Sequence, residues 1–290
     1  MATLSAEHAT FSVHRALPQV ELLDAHYVEH AFGRHTHDTY VVAAITAGVE
    51  EFHHGGGVER AGVGTVALVN PETVVTGHAG VPEGWGYRVL YPAVESVLDA
   101  AADLRPAGAG TPAFSTAVAH DGELARLVHA VHGAVARDDA LAASTAFRLL
   151  VARLLRAHSA PRAVRCAASA GASAVAEARE LLRARLVDPP GLEELAAAVG
   201  ARPFPLLRAF REAHGLPPHA WLNQQRVAAA RSLLRRDVPP AEAAVAVGFV
   251  DQAHLARHFR RSVGVPPGAY RRAVQERTRL PVAARGTVGA

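Results

Sequence analysis

The chain has 290 residues, half of them hydrophobic, and a formal net charge of +3. That length suggests about two domains, each able to bury a core. Its single cysteine, Cys166, excludes an intrachain disulfide and a cysteine-based zinc site. The N-terminus lacks the basic-then-apolar pattern of a signal peptide. No stretch approaches the roughly 18 uninterrupted apolar residues of a membrane span, so a cytoplasmic protein with no membrane partner is expected. All 30 basic residues are Arg, and they are unevenly placed. Residues 1–160 hold 10 Arg and 17 Asp or Glu, whereas residues 161–290 hold 20 Arg and 10 acids. A basic second half suits a polyanion partner or a solvated charged surface, and charge alone leaves both open.

In chain order, the region from about Val13 to Tyr91 reads as strands. Residues 40–45 form a β-rich run ended by Gly48, Gly55-Gly56-Gly57 is a turn, residues 62–69 lead to the turn Asn70-Pro71, and residues 84–91 form another run. Short strands between closely spaced turns predict an all-β barrel or sandwich. From about Asp121 the period becomes helical: Leu124, Leu127, Val128, Val131 and Val135, then Leu141, Phe147, Leu150, Val151 and Leu154. These two amphipathic helices would pack back on the β domain or against a second subunit. Residues 159–173, rich in Ala, Ser and Gly, are the expected linker.

Residues 176–275 read as helical and contain a repeat. One copy has Glu194-Leu195-Ala196-Ala197-Ala198-Val199-Gly200, then Leu206, Arg208, Phe210, Arg211, Gly215, Pro217-Pro218 and Trp221. The other has Glu242-Ala243-Ala244-Val245-Ala246-Val247-Gly248, then Leu255, Arg257, Phe259, Arg260, Gly264, Pro266-Pro267 and Tyr270. Each copy predicts a short helix ended by a glycine free to take positive φ, a turn, and a second helix with one apolar stripe. That is helix-turn-helix geometry, in which the second helix enters the DNA major groove. Between the copies, residues 221–236 read as one long helix that would fix the two units relative to each other.

The segment from about 180 to 275 resembles the DNA-binding domain of the AraC/XylS family of bacterial regulators. The resemblance is carried by Leu195-Ala196-Ala197-Ala198-Val199-Gly200, Leu206-Leu207-Arg208-Ala209-Phe210-Arg211, the run from Arg226 to Leu234, Val245-Ala246-Val247-Gly248-Phe249 with Gln252, His254, Leu255 and Phe259, and Gly264-Val265-Pro266-Pro267-Gly268-Ala269-Tyr270-Arg271. It implies recognition helices at about 204–214 and 251–263. The implied DNA-contacting residues are Phe204, Leu207, Arg208 and Arg211 in the first unit and Gln252, Ala253, His254, Arg257 and Arg260 in the second. The first unit departs from the pattern: Pro203 and Pro205 open its helix, and Leu207, which has no donor for a base edge, stands where a polar residue is usual.

Thirteen of the 17 histidines precede residue 160, which directs attention to Arg34-His35-Thr36-His37-Asp38. His-x-His on a strand puts both imidazoles on one face, where a divalent metal could be held, with Glu50, Glu51 and His78 as further ligands. Residues of about 13–91 also resemble the cupin-type sensor domain of many AraC-like regulators, and cupin enzymes use such ligands. Val75 here stands where related sensors commonly carry a histidine, so the resemblance implies a ligand pocket more strongly than a metal, and no cofactor is expected. Arg34, His35, His37, Tyr40, Trp85, Tyr87 and Arg88 are expected to line it. That mixture suits a small polar or anionic effector.

The expected architecture is thus multidomain α and β. A cupin-like β-barrel with following helices spans 1–158, a linker 159–173, an all-α domain with two helix-turn-helix units 174–278, and a tail 279–290. The expected function is an effector-responsive transcription regulator, not an enzyme, that binds double-stranded DNA as a homodimer, with RNA polymerase as a candidate further partner. The alternative is a metal-dependent cupin enzyme fused to a DNA-binding domain.

Overall fold

Alternating apolar residues and closely spaced glycine turns build the first part of the chain into strands. The computed structural model describes residues 7–104, 110–160 and 170–278. The strands are β1 (His8–His14), β2 (Leu17–Tyr27), β3 (Phe32–His35), β4 (Val41–His54), β5 (Gly57–Gly62), β6 (Val66–Val69), β7 (Val75–Ala79) and β8 (Trp85–Pro92). Helix α1 (Val94–Ala100), strands β9 (Ala113–Phe114) and β10 (Val118–Ala119), and helices α2 (Gly122–Ala136) and α3 (Ala140–Ala157) follow, and β11 (Ser159–Ala160) pairs with β9. The helical part comprises α4 (Ala170–Ala184), α5 (Leu192–Ala198), α6 (Pro203–His214), α7 (Pro218–Arg235), α8 (Pro240–Ala246), α9 (Gln252–Val263) and α10 (Pro267–Thr278). The middle of the expected linker, 161–169, and the expected tail, 279–290, lie outside the described residues.

The main sheet runs β1-β2-β8-β4-β6-β10, with β5 and β7 on the far half of β4 and β3 on β7. Its pairings are antiparallel. The expected β-rich domain is present, and among the described residues its hydrogen-bonded path does not close into the expected barrel. Strand β4 changes partners partway, from β6 to β5 and β7. A bulge against β8 between Ile45 and Ala47, followed by Gly48 at φ 59°, makes the break. The extra residue reverses the inward–outward alternation. Val41, Ala43 and Ile45 therefore share a face with Glu50 and Phe52, not with Glu51.

One face of the sheet carries Leu22, Tyr40, Val42, Leu68 and Leu90 and is covered by α2 and α3 through Leu124, Val128, Val131, Phe147, Leu150 and Leu154. The two amphipathic helices thus pack back on the β domain, each large buried side chain contributing about 1.5–3 kcal/mol. Leu141 and Leu149 of α3 remain exposed. The opposite face carries Phe11, Leu23, Tyr27, Tyr87 and Tyr91, and its apolar cluster continues into Val227, Leu234, Phe249, Leu255, Phe259, Val263 and Tyr270 of the second helix-turn-helix unit. The first unit has its own cluster around Val175, Leu182, Leu195, Leu206, Phe210 and Trp221. Helix α7 joins the two, with Trp221 in one cluster and Leu234 in the other.

Candidate nucleic-acid interface and ligand cavity

Both helix-turn-helix units form as the repeat predicts. Gly200 and Gly248 close α5 and α8 at φ 64° and 89°. Pro203 occupies the first turn of α6, where its missing N–H is no loss. Asp251 caps α9 by accepting the backbone N–H of His254 at 2.6 Å. Leu206 and Phe210 are buried in one unit and Leu255 and Phe259 in the other. The opposite side of each helix is open. Phe204, Arg208 and Arg211 are exposed on α6, with Leu207 half-buried. Gln252, Ala253, Arg257 and Arg260 are exposed on α9, and His254 is half-buried between the Phe249 and His258 rings. Among the described residues, none of these four arginines has a carboxylate within ion-pair distance. Such a surface can meet phosphates and base edges.

The C-terminal ends of the same two helices face the sensor sheet. Gly215, after α6, lies against Val74, and Gly264, after α9, lies against Tyr27 and Phe32. A side chain at either position would collide with those neighbours, and both glycines also sit at positive φ, 68° and 85°. The domain boundary, besides the apolar cluster shared by the two domains, carries polar contacts. Glu21 of β2, buried among apolar neighbours, accepts hydrogen bonds from Arg231 and from Tyr270 and another from Arg235 at 2.7 Å. Burial alone would push its pKa up, but Arg231 and Arg235 outweigh that and hold the carboxyl below its ordinary value. Glu72 pairs with Arg183 at 2.6 Å and Arg179 at 3.2 Å. Gln224 accepts from the Thr36 N–H at 2.9 Å and donates to the Arg34 carbonyl at 3.0 Å.

Between sheet and helical domain lies a cavity. The sheet contributes Phe11, His35, His37, Glu50, Tyr87 and Tyr91, and the helical domain contributes Arg231, Ser262 and Val263. Its free volume is about 60 Å³. His35 donates Nδ1–H to the Gly33 carbonyl at 2.8 Å, and its Nε2 lies 3.0 Å from Nε2 of His37. Burial lowers both imidazole pKa values, that of His37 furthest, with His35 and Arg231 adding to the shift. The pair is therefore neutral: His37 donates and His35 accepts. Glu50 is raised to about 7 by burial.

Of the residues expected to line the pocket, His35, His37 and Tyr87 do so. Tyr40 does not; it points into the helix-covered core and donates to the Pro112 carbonyl at 2.6 Å. Arg88 alternates to the outer face of β8 and pairs with Asp24 at 2.9 Å. Trp85 is fully buried against Tyr27 and Tyr87, behind the cavity wall. Arg34 is exposed at a separate crevice between the domains. With Arg34 and Arg88 elsewhere, the case for an anionic ligand loses its carriers. Nor do the candidate metal ligands converge: Glu51 and His78 pair with each other at 3.3 Å on the other side of β4 from Glu50. The reading from sequence missed Phe11, Phe52, Tyr91 and Arg231. Gly48 inside a strand run was the available signal of the bulge that turns Glu50 and Phe52 inward. Nothing local in the sequence announces Arg231.

Residues 17–151 match the AraC-like ligand binding domain family, and residues 195–273 match a helix-turn-helix domain family. The regulatory protein PocR of Salmonella typhimurium is 32% identical over 110 residues, 38% of this chain and 36% of PocR. The match thus spans about a third of PocR's own length. YbfI of Bacillus subtilis, described as an uncharacterized HTH-type transcriptional regulator, is 25% identical over 77% of this chain and 81% of its own. In fold, the chain is similar to ToxT from Vibrio cholerae strain SCE256 in a structure with an unsaturated fatty acid bound, with a TM-score of 0.55 at 13% identity, covering 93% of this chain and 98% of ToxT. Matched in order by the two family models, over residues 17–151 and 195–273, the chain belongs to the AraC family of transcription regulators.

Proposed function

We propose that the chain is a sequence-specific transcription regulator whose binding to double-stranded DNA responds to a small molecule held in the cavity. The observation that carries this reading is the two-ended use of the recognition helices. Arg208, Arg211 and Arg257 are exposed on the recognition helices, while the far end of α9 supplies Ser262 and Val263 to the cavity wall. Ligand pockets usually enclose roughly 300 Å³ or more, so a small molecule cannot enter a space of about 60 Å³ without moving a wall. The part of the wall held by side-chain contacts rather than by sheet hydrogen bonds is the helical domain. Ligand binding and the position of the reading helices are then one equilibrium, and the effector shifts it by its differential affinity for the two positions.

The same reading makes the protein a binder rather than an enzyme and a homodimer in the cytoplasm. The exposed Leu141 and Leu149 of α3 support the dimer, and no helix among the described residues is long and apolar enough to cross a membrane. Footprinting on upstream DNA, with and without candidate metabolites, tests the proposal. Protection of two adjacent major-groove segments that changes on adding one metabolite is the expected result. Salt-insensitive or sequence-independent binding would overturn it.

A further inference from the structure

The acid in the cavity has no counterpart. Glu50 has no hydrogen-bond or ion-pair partner among the described residues, and its Oε1 occupies the space that a Cβ at Gly77 would crowd. The groups that share the space from each surrounding element are the neutral His35 and His37, Thr76 of β7, Tyr87 and Tyr91 of β8, and Arg231 of α7. Arg231 is already committed to Glu21. Glu50 is half-buried, and a carboxylate drawn into an apolar space without a partner is stabilised by protonation or by meeting a cation. The rest of the lining is aromatic and aliphatic, including Phe11, Phe52, Tyr87 and Tyr91, and such rings attract organic cations through their faces.

We infer that the effector is a small organic ammonium ion with an apolar body, its charged nitrogen placed at Glu50 and its body among the aromatic rings. This rests on the cavity being the effector site and adds the ligand's chemical class. A carboxylate ligand is disfavoured: it would meet Glu50, and the guanidinium it could use is neutralised by Glu21. The reversal of alternation at the β4 bulge is what delivers an acid here. Without it, Glu50 would face the other side of the strand.

The assignment is tested on the full-length protein with benzylamine, benzyl alcohol and benzoate, which share a ring and differ in charge. Calorimetric titration at pH 8 should give at least tenfold tighter binding of benzylamine than of the other two. Glu50→Gln should abolish that preference. On the wild-type protein, affinity for benzylamine should fall roughly tenfold between pH 8 and pH 6, as a carboxyl with a pKa of about 7 takes up its proton; this arm holds even if the variant fails to fold. Tightest binding of benzoate, equal binding of all three, no binding of any, or an unchanged preference in Glu50→Gln would overturn the assignment. Operator affinity measured with each probe separates the two readings. Benzylamine that binds without altering DNA affinity supports the ammonium site and overturns effector control. Benzoate that binds and alters DNA affinity does the reverse.

Discussion

Glu21 of β2 and Arg231 of α7, more than two hundred residues apart, form a buried ion pair across the domain boundary. The same guanidinium borders the ligand cavity and lies over the rings of Tyr91 and Tyr270. Burial opposes the charge on Arg231, but the Glu21 carboxylate outweighs it. Removing one partner leaves the other buried and uncompensated, at a cost of about 3–5 kcal/mol. Glu21→Gln should therefore loosen docking and split the thermal unfolding into two transitions. A single unchanged transition in differential scanning calorimetry would show that the pair does not hold the domains. The pH dependence follows from the lowered pKa. The pair's stabilisation is complete above the ordinary carboxylate value of 4.5 and is lost as pH falls towards the depressed one. Wild-type docking should weaken on acidification below about pH 4.5, and Glu21→Gln should reduce that dependence to the part carried by Glu72, whose pKa Arg183 and Arg179 also lower.

Arg208 and Arg257 stand two residues before the buried Phe210 and Phe259, about 200° around the helix from the core stripe. Each is exposed and is expected to pair with a guanine, which is worth roughly 1–3 kcal/mol per bidentate contact. Arg257→Ala should cost about 5–150-fold on the specific operator and far less on random DNA. Arg208→Ala should cost less, because Leu207 and Pro205 leave the first unit fewer base-reading groups. Equal losses on operator and random DNA in gel-shift titrations would make these arginines phosphate contacts instead.

A fragment of residues 174–278 is expected to bind DNA alone. Both units keep their own buried phenylalanines, Phe210 and Phe259. It should melt below the full-length protein, because Val263 and Tyr270 belong to the apolar cluster continuous with the sheet. A helical fragment without salt-sensitive DNA binding would refute the first expectation, and an unchanged melting temperature the second.

Leu141 and Leu149 lie eight residues apart on α3, exposed by 78% and 55%, although the helix is otherwise seated on the sheet. Two leucines on one stripe, with no partner in the monomer, are expected to meet a second copy. Leu149→Glu, which leaves the buried stripe intact, should convert the dimer to a monomer without changing the melting transition appreciably. Sedimentation at micromolar concentration reads the outcome. A wild-type monomer, or a variant that remains dimeric, removes α3 from the interface.

The sequence by itself determined the elements whose information is local. The two helix-turn-helix units were legible because their glycines, apolar stripes and closing prolines recur 48 or 49 residues apart, and each feature follows from the φ or periodicity demanded by its own helix. His35, at the end of β3, and His37, just beyond it, were legible as a pair because a spacing of two residues needs no distant partner, although the strand expected to hold both stops at His35. Only the tertiary structure decided which residues share the cavity. The bulge at Ile45–Ala47 reverses alternation within β4, turning Glu50 inward and Glu51 outward. Alternation also leaves Tyr40 and Arg88 on faces away from the cavity. Above all, Arg231, Ser262 and Val263 reach the sensor only when α7 and α9 dock on the sheet. That contact depends on the spatial approach of segments some two hundred residues apart, for which no periodicity along the chain leaves a mark.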